Sequence, residues 1–430
     1  MAVPFFSPGA KRGRAGKKGD KTGGLGYYYS NVRKMYIIGF LHTLMFFGGV
    51  SVPFFLDWGR MSYAQFFVLE AWFQFWCVAL EVPTGVVADK VSRKLSIALS
   101  GFCIAIGALL YSLVPDFFVF MLAEFAWAAG TAFLSGADDS MIYDTLKEAR
   151  KSALSKKVLS NYYAVSSLGM IVALPLGGVF VKLSMWPYPK ILLMPMLATG
   201  MAVGIAGFVA LTLREPRIGR TREMDHLKHT KDSIGFLMRQ KRLWALSVNW
   251  GVIASLCFFN FWFYQPLLKQ SGVGVEYYGM VGAAFNAVAF VLLSRLENIE
   301  GFIGKRNFLF ATALLPGIAY LALGASSALP LVLLGITIIS TCWILREPAI
   351  RSEMHGYIQS RRRATVMSAA SMAQKLVMVV LYPVVGALAD WSLEGTLIIL
   401  GIATTGSALA LHASGSDLIA ESKKRKMAGR

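Results

Sequence analysis

Twelve apolar stretches, each long enough to cross a lipid bilayer as a helix, run through this chain and leave little room for any other architecture. A spanning helix needs about 20 apolar residues, and inside the hydrocarbon layer each segment must satisfy its own backbone polar groups. Spans are therefore expected at Met35–Leu56, Ser62–Ala88, Leu95–Val114, Phe117–Leu146, Val158–Leu183, Ile191–Leu213, Leu243–Pro266, Gly274–Ser294, Asn307–Ala325, Leu329–Ile358, Ala364–Ala389 and Thr396–Ser414. With 56% of the 430 residues hydrophobic and 16% charged, only lipid can solvate the excess apolar surface. The expected class is all-α integral membrane, with twelve transmembrane helices in two pseudo-symmetric six-helix halves.

The formal net charge of +19 does not point to nucleic acid, because the basic residues sit in short clusters at the ends of apolar runs. Counted loop by loop, 36 of the 43 Lys and Arg fall on one side, and Arg60, Lys182, Lys190 and Lys269 on the other. Since positive loops stay in the cytoplasm, both termini are expected there, in a plasma (inner) membrane protein. Residues 1–34 read as a basic disordered cytoplasmic tail that touches anionic lipid, and 415–430 as a second basic tail. Between them, 35–213 and 243–414 form the two halves, joined by the basic linker 214–242. Cys77, Cys103, Cys257 and Cys342 lie inside apolar runs without paired spacing, so neither a disulfide frame nor a thiolate metal site is expected. His226 and His229 fit a solvated basic patch better than a metal site. No phosphate-cradling loop and no nucleophile motif is present, which argues against ATP-driven pumping, enzymatic activity and a cofactor.

Features of the first half recur at an offset near 208: Pro175 and Gly178 match Pro383 and Gly386, and Asp138 matches Arg346. Between the second and third spans, Gly85, Asp89, Arg93 and Lys94 have the spacing Gly-x-x-x-Asp-(Arg/Lys)-x-x-(Arg/Lys)-(Arg/Lys). Four residues before Asp89, Gly85 shares its helix face and is expected to admit a neighbouring helix. Asp89 can pair with a cation or cap the next helix, and Lys90, Arg93 and Lys94 anchor the cytoplasmic side. This stretch resembles the loop signature of the major facilitator superfamily. SGADDSMIYDTL (Ser135–Leu146) resembles the end of the fourth span in its bacterial drug-efflux members, Gly169 with PLGG (Pro175–Gly178) is similar to the motif of its proton-antiporting members, and RRRATVMS (Arg361–Ser368) with YPVVGALAD (Tyr382–Asp390) resembles the entry and exit of the eleventh span. The resemblance implies a secondary transporter that exposes a central cavity to each side in turn, proton-coupled export of an amphipathic or drug-like molecule being the first expectation. Uptake or uniport of an organic anion, and a non-transporting membrane protein on the same fold, are the alternatives. A monomer in contact with membrane lipids, a small-molecule substrate and no cofactor besides the coupled proton complete the expectation.

A charge inside the bilayer costs about 3 kcal/mol or more, so each intramembrane charge is a functional candidate. Glu70 in the second span and Glu124 in the fourth lie at similar depth, about seven or eight residues from the outer ends. A desolvated carboxylate can load and release a proton; each could equally be a hydrogen-bonded helix contact. Lys375, near mid-membrane in the eleventh span, is a candidate for an anionic substrate group or for a fixed ion pair. Asp138 and Asp139 facing Arg346 and Glu347 would make a cytoplasmic gate, unless each pairs within its own half. Asp144 is expected to face Arg93 or the basic loop, and Glu81 to join that network. In the seventh span, Asn249 and Asn260 share a face with a crowd of aromatics that fits either a cavity wall, with Asn260 as its polar handle, or a lipid-facing belt. A lone His42 in the first span fits a hydrogen-bonded helix contact.

Overall fold

The structure, a computed structural model, describes residues 22–216, 240–356, 358 and 363–428. Within them every regular element is a helix, and twelve helices are long and apolar enough to cross a membrane. They run Tyr28–Trp58, Tyr63–Val91, Arg93–Leu113, Phe117–Glu148, Ser152–Leu183, Lys190–Leu211, Leu243–Gln270, Val275–Leu293, Lys305–Ala325, Leu329–Met354, Ala370–Trp391 and Leu393–Ala410. Phe208, Phe290 and Val380 are 65%, 68% and 67% exposed, an apolar surface that lipid solvates. Most of the linker, the segment 1–21, His226, His229 and Arg361 and Arg362 of the basic run lie outside the described residues.

Two tails are shorter than expected. The first helix begins at Thr22, because Tyr28 and Asn31 are buried against the following spans and Asn31 hydrogen-bonds the Arg214 backbone. The last helix continues from Leu393 to Ala428, through the segment expected to be a basic tail.

Two spans are interrupted for readable reasons, and two more carry an internal proline. The first stops at His42 and resumes as a 3-10 turn over Phe46–Val50 around Gly48 and Gly49. Backbone groups freed there are taken up by side chains: Thr199 Oγ1 accepts from Phe47 N at 3.3 Å. The fourth span breaks at Gly136, whose φ of +74° suits glycine. Pro175 and Pro383 sit inside the fifth and eleventh spans, at kink positions.

Within the first six spans the third packs on the fourth and sixth; within the last six the ninth packs on the twelfth and tenth. Between the groups, the second meets the eleventh and the fifth meets the eighth. Those crossings use the repeated glycines. A Cβ on Gly386 would stand 2.8 Å from Tyr63 O and 2.9 Å from Ala64 Cα, and a Cβ on Gly178 would collide with the Glu276 backbone. Gly85 is different: nothing described lies within 4 Å of a Cβ there, so it admits no close helix crossing.

Candidate functional site

The end of the molecule where the basic loops gather is the basic end, and the opposite one the far end. Polar residues of the second and fourth spans make the candidate site, roughly midway between them. Trp72 Nε1 donates to Met121 O at 3.1 Å and Thr84 Oγ1 to Ala132 O at 3.0 Å, fixing the second span against the fourth. Held this way, Glu70 and Glu124 are both buried and within electrostatic reach of each other. Neither has a cationic partner among the described residues. The Tyr111 hydroxyl lies beside Glu124, in reach to donate to its carboxylate.

Glu70, Gln74, Cys77 and Glu81 follow one another at steps of four, three and four, so they line one face of the second span. Cys77 has Lys375, Glu124, Glu70 and Glu81 in electrostatic reach. Lys375 is half-buried and has no ion-pair partner among the described residues, against the reading of a fixed pair. Gln74 and Cys77 were not singled out from sequence, although the helical period that joins them to Glu70 was present in it.

The aromatic run of the seventh span is neither a lipid-facing belt nor, at its buried members, an open wall. Phe259, Trp262, Phe263 and Tyr264 are between 0% and 8% exposed. They pack across the boundary between the groups: Phe66 on Trp262 at 5.0 Å, Phe67 on Phe259 and on Phe263 at 5.6 Å, and Phe67 on Tyr382 at 5.6 Å. Edge-to-face and stacked rings of this kind exclude water and lipid alike. Asn260 is buried and donates to Ser340 Oγ at 2.9 Å and Ile336 O at 3.3 Å, tying the seventh span to the tenth, while its Oδ1 has no partner.

Toward the far end the two groups are hydrogen-bonded to each other. Gln265, fully buried in the seventh span, donates to Gly48 O at 2.9 Å and to Ser51 Oγ at 3.2 Å, and accepts from Val52 N at 3.0 Å. It thereby satisfies the interrupted first span from the other group. Asp390 accepts from Tyr63 N at 2.6 Å and Ala64 N at 3.0 Å, capping the second span from the eleventh. Lys269 pairs with Asp57 at 2.9 Å, and Tyr188 donates to the same carboxylate. Burial first, then Asp57, hold the Tyr188 hydroxyl above its ordinary range, so it stays a donor. A cleft of about 270 Å³ between Asp57, Tyr63, Gln265 and Lys269 opens beside these contacts. None of these ties was expected from sequence, since no local signal gives the rotation of a helix about its axis.

At the basic end Arg93 pairs with buried Asp144 and lies 3.8 Å from Asp89. The N-cap of the third span is not Asp89. Ser92 caps it, with Glu215, whose carboxylate accepts from Arg93 N and Lys94 N at 3.0 Å and from Ser92 Oγ at 2.8 Å. Glu215 was missed because its partners lie more than a hundred residues away. The four residues expected as a gate are apart in this conformation: Asp138 accepts from Tyr162 and Asp139 from Tyr163, both within the first group. Arg346 donates to Leu309 O, Thr312 and Asn249, and Glu347 pairs with Arg351, all within the second. A buried guanidinium takes the nearest carbonyl and hydroxyl acceptors when no carboxylate is beside it. His42 bonds Ser100 Oγ at 2.9 Å, a helix contact as expected. The four cysteines are free thiols.

The model of the Major Facilitator Superfamily matches residues 35–382. An uncharacterised MFS-type transporter, YxaM of Bacillus subtilis (strain 168), is 23% identical over 235 residues, covering 54% of this chain and 57% of that protein. Among solved structures the nucleoside transporter NupG superposes with a TM-score of 0.76 at 12% identity, covering 89% of this chain and 98% of that one. An inward-facing, occupied bacterial homolog of the human lysosomal transporter Spinster gives a TM-score of 0.71 at 17% identity, covering 93% and 98%. At such identities the likeness to solved structures establishes the fold and leaves the substrate open.

Proposed function

The chain belongs to the Major Facilitator Superfamily, and from that premise we propose that it is a secondary transporter working by alternating access. It exports a small amphipathic organic molecule across the plasma membrane in exchange for protons. The observation that carries this reading is the pair Glu70 and Glu124: two buried carboxylates side by side, with no cation beside them among the described residues. Two carboxylates in one dry site do not both stay ionised, so the site holds a proton until water or a cationic group replaces it. Substrate and proton then compete for the same oxygens, which couples their movements.

The basic end is the cytoplasmic one, by the excess of Lys and Arg on that side. The far-end ties of Gln265, Asp390 and Lys269 thus belong to a state closed to the outside. Gly85, Asp89, Arg93, Lys94 and Asp144 act as conformational support, with Glu215 fixing the third span to the start of the linker. Asp138 and Asp139, held here by tyrosine hydroxyls and, for Asp138, by the Asp139 backbone N–H, are the carboxylates that would meet Arg346 or Arg351 when the cytoplasmic mouth closes. The transporter works as a monomer in contact with lipid and needs no cofactor besides the proton. Lys375, unpaired among the described residues, favours a second reading, uptake or uniport of an organic anion.

Proteoliposomes holding purified protein and an internal pH dye test both readings. Cationic, neutral, zwitterionic and anionic compounds are added in turn to the parent, Glu70→Gln and Glu124→Gln. Compound-driven proton movement that either substitution abolishes is the expected result, and its sign separates exchange from co-transport. Compounds crossing without any pH change would remove proton coupling from the account.

A further inference from the structure

Both signs of charge stand near the middle of the molecule without ion-pair partners among the described residues, and they stand on opposite groups of spans. Glu70 and Glu124 belong to the first group and Lys375 to the second. They are arranged along one line. The face of the second span that carries Glu70, Gln74 and Cys77 continues through Phe67, whose ring stacks on Tyr382 of the eleventh span at 5.6 Å. Seven residues before Tyr382, two helical turns toward the basic end, comes Lys375, and it reaches Cys77, seven residues after Glu70. At a rise of 1.5 Å per residue these two registers place the Lys375 backbone about 6–10 Å along the helix axis from the level of Glu70.

A third group points at the same place. The Tyr111 hydroxyl, 2% exposed, faces Glu124 and has no other polar partner among the described residues. Buried polar groups are normally partnered, and opposite charges free to meet in an apolar layer normally do. Here they are held one to two turns apart on different groups of spans, so one molecule bearing both signs satisfies all of them at once.

We propose that the transported substrate is a small zwitterion, its ammonium group received by Glu70 and Glu124 and its anionic group by Lys375. This rests on the reading of the carboxylate pair as the substrate and proton site, and adds the second pole of that site. Glu81, a turn beyond Cys77 on the same face, is a further carboxylate placed to compete for Lys375.

Binding to the purified full-length protein tests this without reference to proton flux. The probes are ω-amino acids of increasing chain length, with the amide and the N-acetyl derivative of each, so that one charge is removed at a time. The parent should bind the best-fitting zwitterion at least about tenfold tighter than either derivative, since each pole is a charge-assisted contact. Lys375→Gln should erase the difference between zwitterion and amide, and Glu70→Gln with Glu124→Gln the difference between zwitterion and N-acetyl derivative. Lys375→Arg keeps the charge and should keep the preference, which separates loss of charge from loss of fold. Glu81→Gln removes a competitor for Lys375 and should bind the zwitterion at least as tightly as the parent. A parent that prefers a singly charged or neutral compound overturns the proposal, as does a Lys375→Gln variant that still prefers the zwitterion. If the zwitterion preference fails while Glu70→Gln still abolishes proton movement, the coupling reading stands alone; if it holds while proton movement is unaffected, the binding reading stands alone.

Discussion

At the far end the first and last six spans are tied to each other; at the basic end the described ion pairs tie each group to itself. The far-end ties are a buried amide, a carboxylate on two backbone N–H groups, a half-exposed ion pair and a stack of rings. Arg93 with Asp144 at the basic end is a buried charge pair, its side chains 12% and 8% exposed. Breaking a buried pair from one side costs about 3–5 kcal/mol, whereas a helix cap contributes about 1 kcal/mol. Strong ties lie inside each group, and several weaker ones lie across the boundary that the proposed cycle would part. A boundary built from weak, separable contacts can open at the scale of thermal and substrate-binding energies.

Removing one partner of the strong kind should hurt most. Arg93→Ala leaves Asp144 buried alone, and should lower stability by about 3–5 kcal/mol in thermal unfolding, with Arg93→Ala/Asp144→Ala recovering much of it. Equal loss in the single and double variants would mean that the pair is not what holds the inner network. Next comes Gly386→Val, which forces a side chain against Tyr63 O and Ala64 Cα. Overpacking there should cost about 1–3 kcal/mol and open the far end, read as faster labelling of a cysteine placed at Leu56. Gly85→Val, with open space around it, should leave both readouts near the parent. Lys305→Ala should do least: its pair with Glu353 is 43% and 27% exposed, so the change should stay below about 1 kcal/mol. A larger loss would show that the second group depends on its inner pair as much as the first.

The twelve spans were legible because length and apolarity alone decide them, and boundaries erred where tertiary contacts extend a helix, as at Tyr28 and Asn31. Glu70, Glu124 and Lys375 were legible as charges in apolar runs. What the sequence hid is rotation and long-range partnership. Gln265 and Asp390 look like ordinary span-end residues until the facing backbone is known. Phe259 and Phe263 carry no mark that tells a closed boundary from a lipid surface. Arg346 and Asp138 matched in register, yet matched positions do not ensure that the side chains meet in a given state.

The account's central claim is that far-end ties such as Asp390 hold one of two alternating states. Losing its two hydrogen bonds should cost about 1–2 kcal/mol and shift the balance between states by about tenfold. Spin labels on Met185→Cys and Ser327→Cys, exposed far-end sites in the first and last groups, report the distance directly in a background lacking Cys77, Cys103, Cys257 and Cys342. The parent should show mainly a short distance, and Asp390→Ala should transfer population to a longer, well-defined one. A distance distribution unchanged by Asp390→Ala would contradict the claim, leaving the cap as a fixed structural bond.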